Sequence, residues 1–165
     1  MNNITILPFA ERHAAEAGRI EQLCFSDPWP PEEFFRLCQN PGEIFFAAEI
    51  PGTLPSEPPR LAGYAGFWPV DWEADILNIA VHPDYRRKGI GGALLDAILC
   101  YAAQTGVTTL NLEVRCSNES AASLYRSRGF LPVGIRRRYY TRPQEDACLM
   151  QLVLPVNKSA GNGSA

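Results

Sequence analysis

Apolar and polar positions change period several times along the chain, and each change predicts an element. Ile4 to Leu7 is a short apolar run that predicts a first strand. From Phe9 to Phe25 the apolar residues Ala17, Ile20, Leu23 and Cys24 recur at helical spacing, which predicts a helix. Pro28, Pro30 and Pro31 then break the chain, and a short helix restarts over Glu32 to Gln39 with proline near its first turn. Ile44 to Ile50, Arg60 to Pro69 and Ile76 to Val81 read as strands, and Ala93 to Ala103 reads as a helix. Alternation over Thr108 to Arg115 puts Leu110, Leu112 and Val114 on one face and Asn111, Glu113 and Arg115 on the other. In the helix that follows, Ala121, Leu124 and Tyr125 share a face, with Asn118 as N-cap and Gly129 as stop. Pro51 to Pro59 is longer than a tight hairpin needs, and its prolines cannot donate to a ladder, so it is expected outside the sheet. The succession predicts an α/β (α+β) fold without internal repeats.

Length and composition fit one domain. With 165 residues and 46% hydrophobic content the chain can bury one substantial core but not two ordinary ones. A single domain over 1–154 is expected, followed by a small, polar and disordered tail at 155–165. The net charge of −3 gives no reason to expect nucleic-acid binding. Five cysteines, at 24, 38, 100, 116 and 148, are odd in number and contain no CxxC pair. They read as free thiols of a reducing cytosol, and no metal is expected. The N-terminus lacks the basic and apolar regions of a signal peptide, and no apolar stretch approaches the roughly 20 residues that span a bilayer. A cytoplasmic protein without membrane contact is expected.

Candidate chemistry concentrates between the strand ending at Val81 and the helix beginning at Ala93. Arg86-Arg87-Lys88-Gly89-Ile90-Gly91-Gly92-Ala93 has glycines where the backbone must turn tightly and bring N–H groups to an anion. The following helix adds unpaired N-terminal donors and the positive end of its dipole. Pyrophosphate is a suitable ligand. No GK[ST] follows the glycines, which argues against a P-loop. Glu113 lies at about the spacing of a dinucleotide-binding fingerprint, but several strands precede the turn, whereas that fold places it early.

The run from Asn78 to Leu95 resembles the acetyl-CoA motif [RQ]xxGxG[GA] of the GNAT superfamily of N-acetyltransferases. A second block, Leu112-Glu113-Val114-Arg115-Cys116-Ser117-Asn118 with Ala121, Leu124-Tyr125 and Gly129-Phe130, resembles the family pattern LEVRxSNxxAxxLYxxxGF. A third, Arg137-Arg138-Tyr139-Tyr140 with Glu145-Asp146-Ala147 and Met150, is similar to the family's bacterial branch that acetylates the N-terminal alanine of a ribosomal protein. The resemblance covers about Asp75 to Leu152. It implies a mixed central sheet flanked by helices, with a splayed strand pair holding acetyl-CoA. It assigns Ile79, Ala80, Val81, Arg86, Arg87, Lys88, Gly89, Ile90, Gly91, Gly92, Ala93 and Asn118 to that cosubstrate. An N-terminal peptide of a protein substrate is the implied partner.

Glu113 leaves the apolar face of its strand. From the residues alone it could face solvent, pair with an arginine or open onto a cleft; the resemblance implies the general base, directly or through water. Tyr125 on its own reads equally as a core tyrosine with a satisfied hydroxyl, and the resemblance implies the acid that protonates the departing thiolate. Asn118 would be explained by capping alone. A covalent route would use Cys116, but neither histidine, His13 or His82, is a visible partner, and His82-Pro83 reads as a strand exit. The expected chemistry is direct attack by a neutral amine, with the oxyanion held by a backbone N–H near Ile79 to Val81.

The acceptor is less constrained. An α-amine of pKa near 8 costs only about 1 kcal/mol to deprotonate at pH 7, against about 4 to 5 for lysine, so a modest base suits an N-terminus better. Phe25-Ser26-Asp27-Pro28-Trp29 and Tyr139-Tyr140 resemble the two walls of a peptide site, with Pro28, Trp29, Tyr139 and Tyr140 as binding candidates. Packing of the helix connection and an ordinary strand edge are the alternative readings. Arg136-Arg137-Arg138 reads as a solvated basic stretch, with an acidic peptide or a phosphate as the alternative partner. The Pro51 to Pro59 insertion departs from the branch pattern. Transfer to lysine or a small amine, and a non-catalytic acyl-CoA-binding module, remain as alternatives.

Overall fold

The computed structural model describes residues 3–156, so most of the expected tail lies outside the described residues. The elements run β1 (Thr5–Pro8), α1 (Glu11–Cys24), α2 (Pro31–Leu37), β2 (Ile44–Ile50), β3 (Arg60–Val70), β4 (Glu73–Val81), a 3-10 turn (Pro83–Tyr85), α3 (Ile90–Thr105), β5 (Thr109–Arg115), α4 (Glu119–Ser127), β6 (Leu131–Thr141) and β7 (Gln144–Val153). They form one seven-stranded sheet in the order β1-β2-β3-β4-β5-β7-β6. Within this order β4 and β5 are parallel and every other neighbouring pair is antiparallel.

Helices cover both faces, which explains why β3 is buried without interruption from Leu61 to Phe67. On one face α3 contributes Leu94, Leu95 and Ile98 to a core with Phe67, Leu110, Leu112, Phe130 and Met150. On the other, Ala14, Ala17 and Ile20 of α1 and Phe34 of α2 pack on Phe45, Ala47 and Tyr64. Gly66 is needed for one close approach, because a Cβ there would lie 2.2 Å from the Phe45 ring. The α1 stripe differs from the expected one: Leu23 is 56% exposed, while Glu21 is 1% exposed and turns inward.

His13 is structural. Its Nδ1 accepts from the Ala10 N–H at 2.9 Å, which leaves the proton on Nε2 to meet Glu49 Oε1 at 2.9 Å. The pair ties α1 to β2. Residues 51–59 stand outside the sheet as expected, and Glu57 organises them by accepting from the Thr53 N–H and hydroxyl.

The feature that makes a site is the parting of β4 and β5. They pair only through Glu73, Ala74 and Asp75 against Thr109, Leu110 and Asn111. Beyond that point β4 stays with β3 as far as Val81, while β5 stays with β7 as far as Arg115. The unpaired segment of each strand borders a gap. No helix of the described residues is long and apolar enough to cross a membrane.

Candidate active site

The gap opens into a cleft of about 660 Å³ bordered by the end of β4, the turn into α3, the first turn of α3 and one face of α4. Ile79, Ala80, Val81, Arg86, Arg87, Gly89, Ile90, Gly91, Gly92, Asn118 and Tyr125 all line it. Of the twelve residues expected to hold acetyl-CoA, only Lys88 and Ala93 do not. The Lys88 ammonium donates to the Asp84 carbonyl at 3.3 Å and sits over the Tyr85 ring. Ala93 lies further along α3, where its N–H closes the first turn on the Gly89 carbonyl at 3.0 Å.

The helix starts earlier than its apolar pattern suggests. Ile90, Gly91 and Gly92 form the first turn of α3 rather than a loop before it. Gly89 is the N-cap at φ +80°, a left-handed conformation that favours glycine, and no side chain caps the turn. The first N–H groups of a 16-residue helix therefore face the cleft without a protein acceptor from a cap, and the dipole adds positive potential there. Exposed Arg86 and Arg87 flank them. Arg86 Nε donates to the Val81 carbonyl at 3.2 Å, which braces the turn against β4. Uncapped amides with two guanidiniums beside them fit a pyrophosphate.

Tyr125 reaches the cleft from α4. Asn118 caps that helix by accepting from the Ala121 N–H at 3.1 Å, and Gly129 follows its end at φ +90°. The ring packs edge-on against Phe130 with 5.7 Å between centroids. Its hydroxyl has no hydrogen-bond partner among the described residues, and it is not sealed from solvent. A core tyrosine with a satisfied hydroxyl is thus not what is found. Burial pushes the phenol pKa well above its ordinary value, with a smaller contribution from Tyr140, so the proton is held at neutral pH.

Glu113 lies elsewhere. It is half-buried on β5, outside the cleft lining, and Oε1 is 3.4 Å from Arg136 Nη1 on β6. Tyr140 lies within electrostatic range of it, Tyr139 stands beside Arg136, and the two tyrosine rings meet edge-on at 5.0 Å. The Tyr140 phenol is pushed up to about 12, by burial and then by Tyr139, with Arg115 opposing. The structure therefore groups Glu113 with the β6–β7 hairpin and Tyr125 with the cleft.

The α1–α2 connection faces this hairpin. Pro28 is exposed, but the Trp29 ring packs at 5.9 Å from Phe34 and 6.4 Å from Phe45. Trp29 anchors the turn in the core. Its N–H donates to Glu21 Oε1 at 3.1 Å; Asn78 Nδ2 donates to Oε2 at 2.9 Å, and the Tyr64 hydroxyl also donates to Oε2. Burial pushes the Glu21 carboxyl up and these three donors oppose it. Sequence reasoning misses this bridge from the turn to β4; its one signal is an acid on the inner face of an apolar helix stripe.

Arg136, Arg137 and Arg138 are exposed at an irregular stretch of β6, where Arg138 adopts φ +52°. Arg137 pairs with Asp146 at 3.6 Å. Cys116 is exposed, and desolvation together with Cys148, Asp146 and Glu145 raises its thiol pKa, the reverse of what a nucleophile needs.

A model of the acetyltransferase (GNAT) family matches residues 14–130. The [ribosomal protein bS18]-alanine N-acetyltransferase of Salmonella typhimurium is 40% identical over 158 residues, covering 94% of this chain and all of the relative. The crystal structure of the ribosomal-protein-S18-alanine N-acetyltransferase from Escherichia coli superposes with a TM-score of 0.80 at 35% identity, over 97% of this chain and 99% of that one. Arabidopsis thaliana NAA60 in complex with acetyl-CoA shares the fold, with a TM-score of 0.81 at 20% identity over 92% of this chain and 98% of its own. With its parted strands, its glycine-led helix start and a full-length likeness to these proteins, the chain belongs to the acetyltransferase (GNAT) family.

Proposed function

We propose that the protein, as a single domain over 1–154, transfers an acetyl group from acetyl-CoA to the α-amine of an N-terminal alanine, and that its substrate is a ribosomal protein of the bS18 type met in the cytoplasm. The observation that carries this reading is the placement of Tyr125. Its protonated hydroxyl opens, without a partner among the described residues, onto a cleft also lined by an uncapped helix N-terminus. The substrate follows from the names of relatives that match the chain over nearly its whole length.

When bound, acetyl-CoA supplies a thioester already activated for acyl transfer. The first-turn amides of α3, with Arg86 and Arg87, hold its pyrophosphate. The free edge of β4 around Ile79 to Val81 offers a backbone N–H for the charge that develops on the carbonyl oxygen. Tyr125 gives its proton to the departing sulfur. Glu113 takes the proton of the incoming amine from the hairpin side, through water where the distance requires it. Pro28, on the turn that Trp29 anchors from the core, and Tyr139 and Tyr140 on the other side border the path of the peptide. An N-terminal amine asks little of the base, since its pKa is already near 8.

The test is acetyl-CoA turnover with a peptide bearing the bS18 N-terminus, run beside an N-terminally blocked, lysine-containing counterpart, with mass localisation of the product. Transfer to the free α-amine alone is expected. Transfer to lysine, or acetyl-CoA binding without turnover, would replace this reading by a side-chain acetyltransferase or a binding module.

A further inference from the structure

Arg115, on the same face of β5 as Glu113, makes more contacts between elements than a strand residue at the sheet surface requires. Nη1 donates to the Pro143 carbonyl at 3.0 Å and Nη2 to the Arg142 carbonyl at 3.1 Å, so the fork grips the β6–β7 turn. Nη2 also reaches Ser26 Oγ in the α1–α2 connection at 3.4 Å, and the Ser26 hydroxyl donates to that same Arg142 carbonyl. Asp27 stands 3.9 Å from Arg142 Nη1. The guanidinium lies 4.2 Å from the centre of the Tyr140 ring, in the position of a cation–π contact. Its side chain is only 23% exposed.

A further arm points to the catalytic tyrosine. Glu145 Oε1 is 3.5 Å from Arg115 Nη1 and accepts from the Ser117 hydroxyl at 2.9 Å, while Oε2 accepts from the Ser117 N–H at 2.7 Å. Ser117 immediately precedes Asn118, the cap of the helix that carries Tyr125. One guanidinium thus connects the two walls of the peptide path with the turn that sets α4.

We propose that Arg115 is a positioning residue for the acceptor: it clasps the α1–α2 connection to the β6–β7 hairpin and fixes the width of the peptide entrance. This rests on the proposed function and its peptide path. A planar group with several donors in fixed directions is required, because the clasp uses two carbonyls, a hydroxyl, a carboxylate and a ring face together. Lysine, a single point of charge on a flexible stem, cannot hold them at once.

The experiment uses the whole protein with Arg115→Lys, Arg115→Gln and Ser26→Ala. Steady-state turnover on the bS18-type peptide is measured beside acetyl-CoA affinity, and backbone hydrogen exchange is followed with acetyl-CoA present. Both Arg115 variants are expected to raise the peptide KM roughly tenfold while kcat stays within about threefold and acetyl-CoA affinity is unchanged. Ser26→Ala, which leaves the fold's core untouched, is expected to move KM the same way by a smaller factor, so an unfolded Arg115→Gln would not end the test. Residues 26–29 and 139–145 should exchange faster together, with 90–105 unaffected. An unchanged peptide KM in Arg115→Lys, or unchanged exchange in both segments, would overturn the proposal, as would a loss confined to acetyl-CoA affinity. If the wild type does not acetylate the peptide, the proposed function fails, and the exchange comparison decides the clasp alone.

Discussion

Glu113 on β5 and Arg136 on β6 approach to 3.4 Å, and Glu113 lies outside the lining of the cleft onto which Tyr125 opens. In the proposed reaction this arrangement would bring the amine in past Glu113 and let the thiol leave past Tyr125.

Glu113→Gln keeps the size of the side chain and removes its basicity. A general base contributes about 10² to 10⁴ in rate, so kcat on an N-terminal peptide is expected to fall within that range while acetyl-CoA affinity is kept. Stopped-time kinetics with a calorimetric binding control checks this. Unchanged turnover would show that Glu113 only pairs with Arg136.

Tyr125→Phe leaves the edge-on packing with Phe130 and deletes the proposed acid. A loss of about 10² or more in kcat is expected, with little change in melting temperature. The proposed role requires a protonated phenol, and burial raises the Tyr125 pKa above its ordinary value. The wild-type kcat profile should therefore show no alkaline limb from this group below about pH 10. A limb at lower pH that the variant abolishes would contradict the assignment.

Glu21 carries the clearest pH dependence of stability. Its carboxyl pKa is raised in the fold, chiefly by burial, so the folded protein binds the proton more readily than the unfolded chain. Stability relative to Glu21→Gln is then greatest below the unfolded carboxyl pKa and declines as pH rises through the folded one. Urea unfolding of both proteins across that range reads it directly. Glu21→Ala also strands the donors of Tyr64, Trp29 and Asn78 and is expected to cost about 3 to 5 kcal/mol at low pH and less as pH rises through the folded pKa.

Gly89→Ala separates backbone strain from contact. A Cβ would meet nothing within 4 Å, yet φ is +80°, so a stability cost of about 1 kcal/mol and weaker acetyl-CoA binding are expected. Gly66→Ala has the opposite cause: its Cβ would collide with the Phe45 ring, and a loss of about 1 to 3 kcal/mol with unchanged acetyl-CoA binding is expected. Chemical denaturation and calorimetry on the two variants distinguish them.

Features written in local sequence are legible from the residues alone. The alternation of β5 buries Leu110, Leu112 and Val114, Asn118 caps α4, and Gly129 ends it, each as the pattern predicts. The start of α3 is not legible in the same way, because Gly91 and Gly92 are poor helix formers and tertiary packing overrides that preference. The insertion of β7 between β5 and β6 leaves no local trace, since strand order is a property of the whole sheet. The inward turn of Glu21 is masked by Leu23, which completes an apolar stripe in the sequence but stands exposed in the fold. The contacts of Arg115 reach a serine 89 positions away and a proline 28 away, distances over which one sequence carries no pairing signal.

The most direct test is the mass of ribosomal protein bS18 isolated from host cells with and without this protein, and from cells carrying Glu113→Gln together with Tyr125→Phe. N-terminal acetylation present with the wild type, and absent both on deletion and with the double variant, is the expected result. Full acetylation of the bS18 N-terminus in cells that lack the protein would contradict the account.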